Sequence, residues 1–250
     1  AYFLKQAALN APSLDVGYQR STGNVGFVAT PNDNWIFRLD AGRERRGGSM
    51  PQMLNFGFSN MMEASAPVDF RTDSLTGSME YVRKRFSAGA SVLLASFSNE
   101  YSTLVFDNPL RVSDISGGSS RGRMTTYPDN SLEQFRLHAS TNLPWWSTRL
   151  YAAASFGETT QNDAFLPLTI NTAAALKGVR NFDGAPGNDD PTLTSGPRGS
   201  LGGKYETNTF EFRATTRPAD WLRLKGWWRA YERDDKTSGF TLAGGYVGYD

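Results

Sequence analysis

Cysteine is absent from the 250 residues, and histidine occurs once, as His138. The first absence excludes a disulfide scaffold, a thiolate nucleophile, Cys-based zinc sites and covalent c-type haem attachment, which needs Cys-x-x-Cys-His. The second excludes a His-rich metal centre. No stretch approaches the run of about 18 apolar residues that a spanning helix requires. Net charge is nearly absent as well: 26 Lys and Arg against 25 Asp and Glu leave +1. The chain therefore has no global basic field to attract nucleic acid and no acidic tail. It opens on Ala1-Tyr2-Phe3-Leu4-Lys5 without a basic and then apolar leader, so either a removed signal or a fragment is expected.

What the chain does have is alternation. Four times, two half-apolar runs are separated only by a few turn residues: Pro31-Asn32-Asp33-Asn34, Arg83-Lys84-Arg85, Pro144-Trp145-Trp146-Ser147 and Pro218-Ala219-Asp220. Each connection is too tight for anything but a hairpin. The stretches between the pairs, 45–67, 99–130 and 161–204, are long and rich in Gly, Pro, Ser and Asn, and read as loops. Short turns on one rim and long loops on the other are the plan of an outer-membrane barrel, whose strands need only about 9–11 residues and hide their lipid face in every second position. The competing architecture is a soluble propeller or sandwich, which has no reason to sort its connections by length.

The clearest strand places Trp35, Phe37, Leu39 and Ala41 on one face and Arg38, Asp40, Gly42 and Glu44 on the other. In the third hairpin Phe135, Leu137 and Ala139 oppose Gln134, Arg136 and His138, and Leu150, Ala152, Ala154 and Phe156 oppose Arg149, Tyr151 and Ser155. In the last, Phe210, Phe212 and Ala214 oppose Glu211 and Arg213. Then Leu222, Leu224, Trp228 and Ala230 oppose Arg223, Lys225, Trp227 and Arg229. The second hairpin is less regular. Leu75, Gly77, Met79 and Tyr81 form one face, but residues 86–97 are small and apolar on both sides, so alternation does not assign them. Trp35, Phe86, Trp145, Trp146 and Trp221 gather beside the short turns as an interfacial belt.

The expected fold is thus all-β: an antiparallel transmembrane barrel, or a contiguous part of a larger one, with about eight strands in four hairpins. Residues 1–250 form a single outer-membrane domain. An eight-stranded barrel has room inside only for side chains. Since 246–250 stop within what the pattern makes an external loop, a piece of a longer barrel is expected. The polar face supplies the candidate partner contacts Arg136, His138, Arg149, Glu211, Arg213, Arg223, Lys225 and Arg229, lining a water-filled lumen.

Catalytic motifs do not hold up. Gly118-Ser119-Ser120-Arg121-Gly122 matches G-x-S-x-G, but it sits in a Gly/Ser loop where a nucleophile elbow needs a strand entering and a helix leaving. Asp183-Gly184 and Asn188-Asp189-Asp190 carry oxygens but lack the spacing of a calcium loop and read as a solvated segment. No catalytic, metal-ligating or cofactor-binding residue is expected.

Several strings carry a family resemblance: Phe56-Gly57-Phe58-Ser59-Asn60, Phe106-Asp107-Asn108-Pro109 and Tyr127-Pro128-Asp129-Asn130, then Gln161-Asn162-Asp163-Ala164-Phe165-Leu166-Pro167 and Tyr231-Glu232-Arg233-Asp234-Asp235. In their order and their placement relative to the hairpins, the chain resembles the decahaem-associated outer-membrane barrels of the MtrB/PioB family, over nearly its whole length after about Asn24. The resemblance implies a Gram-negative outer-membrane barrel of more than about twenty strands. Such a barrel is porin-like and does no redox chemistry itself. It sheathes and positions a periplasmic multihaem c-type cytochrome for electron transfer across the outer membrane, with an extracellular multihaem cytochrome as a further candidate partner. The haem would then belong to the partner, in keeping with a chain that has no cysteine. Some family members carry a Cys pair near the mature N-terminus; this chain has none, so either that region is missing or this member does without it. The alternative function is a porin or channel for small solutes. A secreted β-rich adhesin or enzyme would have to stay soluble without detergent.

Overall fold

The computed structural model describes residues 16–56, 60–109, 111, 113, 120–166 and 199–240. Alternation over these residues produces long strands. These are β1 (Gly17–Asn32), β2 (Trp35–Phe56), β3 (Asn60–Arg83), β4 (Phe86–Asn99), β5 (Thr103–Asp107), β6 (Arg121–Thr125), β7 (Asn130–Leu143), β8 (Thr148–Gln161), β9 (Gly203–Ala219) and β10 (Leu222–Asp235). Eight of them form one antiparallel sheet in the order β1-β2-β3-β4-β7-β8-β9-β10, while β5 and β6 pair with each other in the connection between β4 and β7. The main sheet is an open run of four hairpins, and β1 and β10 are its edges.

All four short turns lie on one rim. Asn34 accepts a backbone hydrogen bond from Val82, and Arg85 accepts one from Asn142, so the first three turns are neighbours. The third is a 3-10 turn, Trp145–Ser147, whose Trp146 carbonyl is reached by the Thr216 hydroxyl from beside the fourth. The first turn closes on the Asn32 side chain, which accepts from the amides of Asn34 at 3.0 Å and Trp35 at 3.1 Å.

Directly opposed residues of an antiparallel pair share a face, so the register fixes the two sides of the sheet. Phe37 pairs with Met79, Met79 with Ala90, Ala90 with Leu137, Leu137 with Ala154 and Ala154 with Phe210. This row is apolar across six strands, and its side chains are open to the surroundings; Leu137 remains 45% exposed. Among the described residues the only buried apolar side chains are Leu54, Ala66 and Val68, so the main sheet has no second protein layer against its apolar face. An apolar band running across six strands is the pattern that a lipid-facing barrel wall presents.

The apolar band ends at a charged level. Ala41 is followed on its face by Arg43, Leu75 by Asp73, Phe135 by Glu133, Phe156 by Glu158 and Ala230 by Glu232. The boundary does not follow one register row. The row that begins at Ala41 on β2 reaches Asp234 on β10, four residues past Ala230. The band therefore slides by roughly 14 Å at about 3.4 Å per residue, which is strand tilt relative to the membrane plane, as barrel geometry demands.

Two expectations need correction. Residues 45–67 are not a loop: β2 and β3 remain paired from Trp35↔Tyr81 to Phe56↔Asn60, as a hairpin that continues past the apolar band. Cross-strand ion pairs tie this extension, with Arg45 reaching Asp69 at 2.8 Å and Arg43 reaching Asp73. The 99–130 connection likewise carries the β5–β6 hairpin. It is anchored by Asn99, whose side-chain amide donates to Thr126 and Tyr127, and by an edge-on contact of Phe70 with Tyr127 at 5.6 Å.

Candidate partner interface on the polar face

The polar side of β7–β10 is built from four consecutive register rows. The first runs Arg136, Ser155, Thr209, Tyr231; the second His138, Ala153, Glu211, Arg229. The third runs Ser140, Tyr151, Arg213, Trp227, and the fourth Asn142, Arg149, Thr215, Lys225. Arg223 follows on the same face by alternation within β10, beside the register shift next to the fourth turn. All eight residues expected to share the polar face therefore do so, within four adjacent strands.

Their neighbours give the patch its internal order. Tyr151 is its hub: Arg136 donates to the phenol oxygen at 2.9 Å, and the His138 ring stacks on Tyr151 with centroids 6.5 Å apart. The Arg213 guanidinium stands 5.7 Å from the same ring and is ion-paired with Glu211 two residues away. His138 has room because its direct partner is Gly89; a Cβ there would stand 2.6 Å from His138 Cε1. Arg229 sits 5.9 Å from the Tyr231 ring. Tyr151 was readable on the polar face from alternation, but its central place needed the cross-strand register.

Charge is distributed unevenly over this face. On β7–β10, Arg136, Arg149, Arg213, Arg223, Lys225 and Arg229 are set against Glu211 alone over these rows. Of these six basic residues only Arg213 has an ion pair among the described residues. On the same face of β1–β4, Arg20, Arg38 and Arg46 meet Asp40, Glu44 and Glu80, with Arg20 and Arg46 both on Glu44 and Arg38 at 3.5 Å from Glu80. One half of the surface is self-compensated. The other offers cations and exposed rings, Trp227 among them, to something outside the sheet.

The G-x-S-x-G match forms no nucleophile elbow. Gly118 and Ser119 lie outside the described residues, but the chain leaves Ser120 into strand β6 instead of a helix, and His138 is held within β7. Asp183-Gly184 and Asn188-Asp189-Asp190 lie outside the described residues altogether.

Comparison with known proteins bears on the same sheet. The profile of the family described as outer membrane beta-barrel porin, MtrB/PioB, matches residues 4–244. Outer membrane protein MtrB of Shewanella baltica (strain OS185) is 22% identical over 230 residues, which cover 90% of this chain and 28% of that relative. The chain thus spans less than a third of the length of the curated relative it matches.

Proposed function

Since the chain belongs to the MtrB/PioB family of outer-membrane β-barrel porins, we propose that its sheet is part of a barrel wall that sheathes and positions a periplasmic multihaem c-type cytochrome for electron transfer across the outer membrane. The observation that carries this reading is the uncompensated cationic and aromatic patch on the polar face of β7–β10. Cations set in exposed rows repel one another, and water in a lumen screens that repulsion without removing it. Carboxylates or haem propionates on an inserted protein would compensate it, because charges across an interface tend to be complementary. With no cysteine in the chain, covalently attached haem would have to come from the partner.

The open edges fit the same reading. Among the described residues no strand pairs with the outer edges of β1 and β10; such edges cannot face hydrocarbon, so this reading has further strands meet them in the membrane. A barrel wider than eight strands has an interior that side chains no longer fill.

The porin description of the family supports a second reading, in which the lumen passes small solutes. One preparation separates the two. The full-length barrel, extracted from its native membrane in mild detergent, is expected to carry covalent c-type haem in fixed proportion to the barrel. A haem-free barrel that makes liposomes permeable to small sugars would replace the sheath with the channel.

A further inference from the structure

The apolar face is not uniformly filled. In one register row, Trp35 and Tyr81 on β2 and β3 are followed by Ala88, Ala139 and Ala152 on β4, β7 and β8, and then by Phe212 and Trp228 on β9 and β10. One row further from the turns Ala90 and Ala154 continue the floor on β4 and β8, with Leu137 standing between them on β7. The result is a trough with an alanine floor and aromatic walls, about 660 Å³ in volume. Its walls stand four strand spacings apart, roughly 19 Å at about 4.8 Å each.

At the turn-side end of one wall lies a cationic group. Arg83 shares the apolar face by alternation with Tyr81, donates from Nε to the Tyr81 hydroxyl at 2.5 Å and is exposed. Lys84 and Arg85 follow in the turn, and none of the three forms an ion pair among the described residues. The other short turns contain Asp33, Asp220 or no charge at all. Arg83 is one row from the trough, about 7 Å along the strand. That is the offset between a headgroup phosphate at the interface and the first methylenes of its chains.

We propose that the trough and the Arg83-Lys84-Arg85 turn together bind an anionic phospholipid of the leaflet that meets the short turns. The site rests on the outer-membrane placement of the sheet. The apolar floor accepts the acyl chains, Tyr81 and Phe212 flank them, and the guanidiniums and ammonium take the phosphate and the net negative charge. Basic residues at a membrane surface favour anionic lipids by about fivefold each, and a cradle for the chains makes that preference persist after extraction.

The test reconstitutes the full-length barrel in vesicles of equal parts phosphatidylglycerol and phosphatidylcholine, extracts it in mild detergent and counts retained lipids by mass spectrometry. The wild type is expected to retain phosphatidylglycerol at least about fivefold over phosphatidylcholine. Arg83→Gln with Lys84→Gln and Arg85→Gln should lose that preference. Ala139→Leu with Ala152→Leu should lower the amount of retained lipid. Neither set places a charge on the lipid face, so insertion serves as the common control. Retention in the input ratio by the wild type, or unchanged retention in the leucine pair, overturns the site. If the leucine pair instead converts a dimer to a monomer with lipid unchanged, the trough is a contact between copies and the lipid proposal is wrong. Failure of the wild type to insert at all would overturn the membrane placement itself, a result distinct from insertion without lipid preference.

Discussion

Glu211 on β9 and Arg229 on β10 are direct register partners, yet the Glu211 carboxylate is ion-paired with Arg213 on its own strand. The one acid of the cationic patch is therefore already engaged. Arg223, Lys225 and Arg229 are left as the charges on this face most available to a partner outside the sheet.

Reversing Arg223→Glu and Arg229→Glu should leave barrel assembly nearly intact while weakening retention of the proposed cytochrome partner and making it salt-sensitive. Placing an acid opposite Glu211 costs at most about 1 kcal/mol, too little to prevent folding. Haem co-purified with the full-length barrel, scored against membrane yield across a salt series, measures both effects. Undiminished haem in the reversed pair would remove the electrostatic part of the docking idea.

Leu137 and His138 are sequence neighbours on opposite faces of β7. Leu137→Lys puts a charge into the middle of the apolar band, at a cost of about 2–4 kcal/mol if that level is the bilayer midplane. His138→Lys puts the same charge on the polar face. Membrane yield should fall sharply for the first and little for the second; the reverse order would show that the two faces have been interchanged, and equal losses that the strand does not separate lipid from water at this level.

Much of this is legible in the sequence alone. Lipid on one side and water on the other force a strict period of two, so Phe135, Leu137 and Ala139 separate cleanly from Arg136 and His138, and the four tight turns announce the hairpins. The pattern weakens where its cause weakens. On β4 both faces carry small residues, and only pairing of Ala90 with Met79 and Leu137 assigns Ala88, Ala90, Val92 and Leu94 to the apolar side. Beyond Ala41 and Leu75 no lipid imposes alternation. Gly47, Gly48, Pro51 and Pro67 there read as loop although the residues remain paired, Gly48 at the positive φ of 142° that glycine permits. The Tyr151 hub is a property of register, which no single strand encodes.

That extension should be acid-labile. Asp69 and Asp73, both beyond the apolar band, are held below the usual carboxylate range by hydrogen bonds from Arg45 and from Arg43 and Arg71 respectively. A depressed carboxylate contributes stability above its unfolded value of about 3.9, and the contribution is lost as pH falls through the folded value. Hydrogen-exchange protection near Met53 and Met61, taken relative to the intrinsic rate at each pH, should therefore fall on acidification below about pH 4, while β7 and β8 stay protected. Asp69→Asn with Asp73→Asn should show fast exchange already at neutral pH and no acid step. Protection in the wild type that ignores acidification would mean the ion pairs do not hold the hairpin.

Gly89 tests whether the polar cluster is packed or merely adjacent. A Cβ there meets His138 Cε1 at 2.6 Å and the Met79 carbonyl oxygen at 2.9 Å, one contact with a movable ring and one with backbone. Gly89→Ala should destabilise the barrel by about 1–3 kcal/mol through overpacking, whereas Gly77→Ala, with nothing within 4 Å, should stay within about 0.5 kcal/mol. In a His138→Ala background the ring contact disappears and only the carbonyl contact remains. The cost of Gly89→Ala should then shrink by about 0.5 kcal/mol or more. Denaturant unfolding in detergent, read by heat-modifiable gel migration, gives all four corners of the cycle. Additive costs would mean that His138 does not rest over Gly89. The stack on Tyr151 would then lose its positioning device, and Arg136 would lose the fixed phenol that orients it on the polar face.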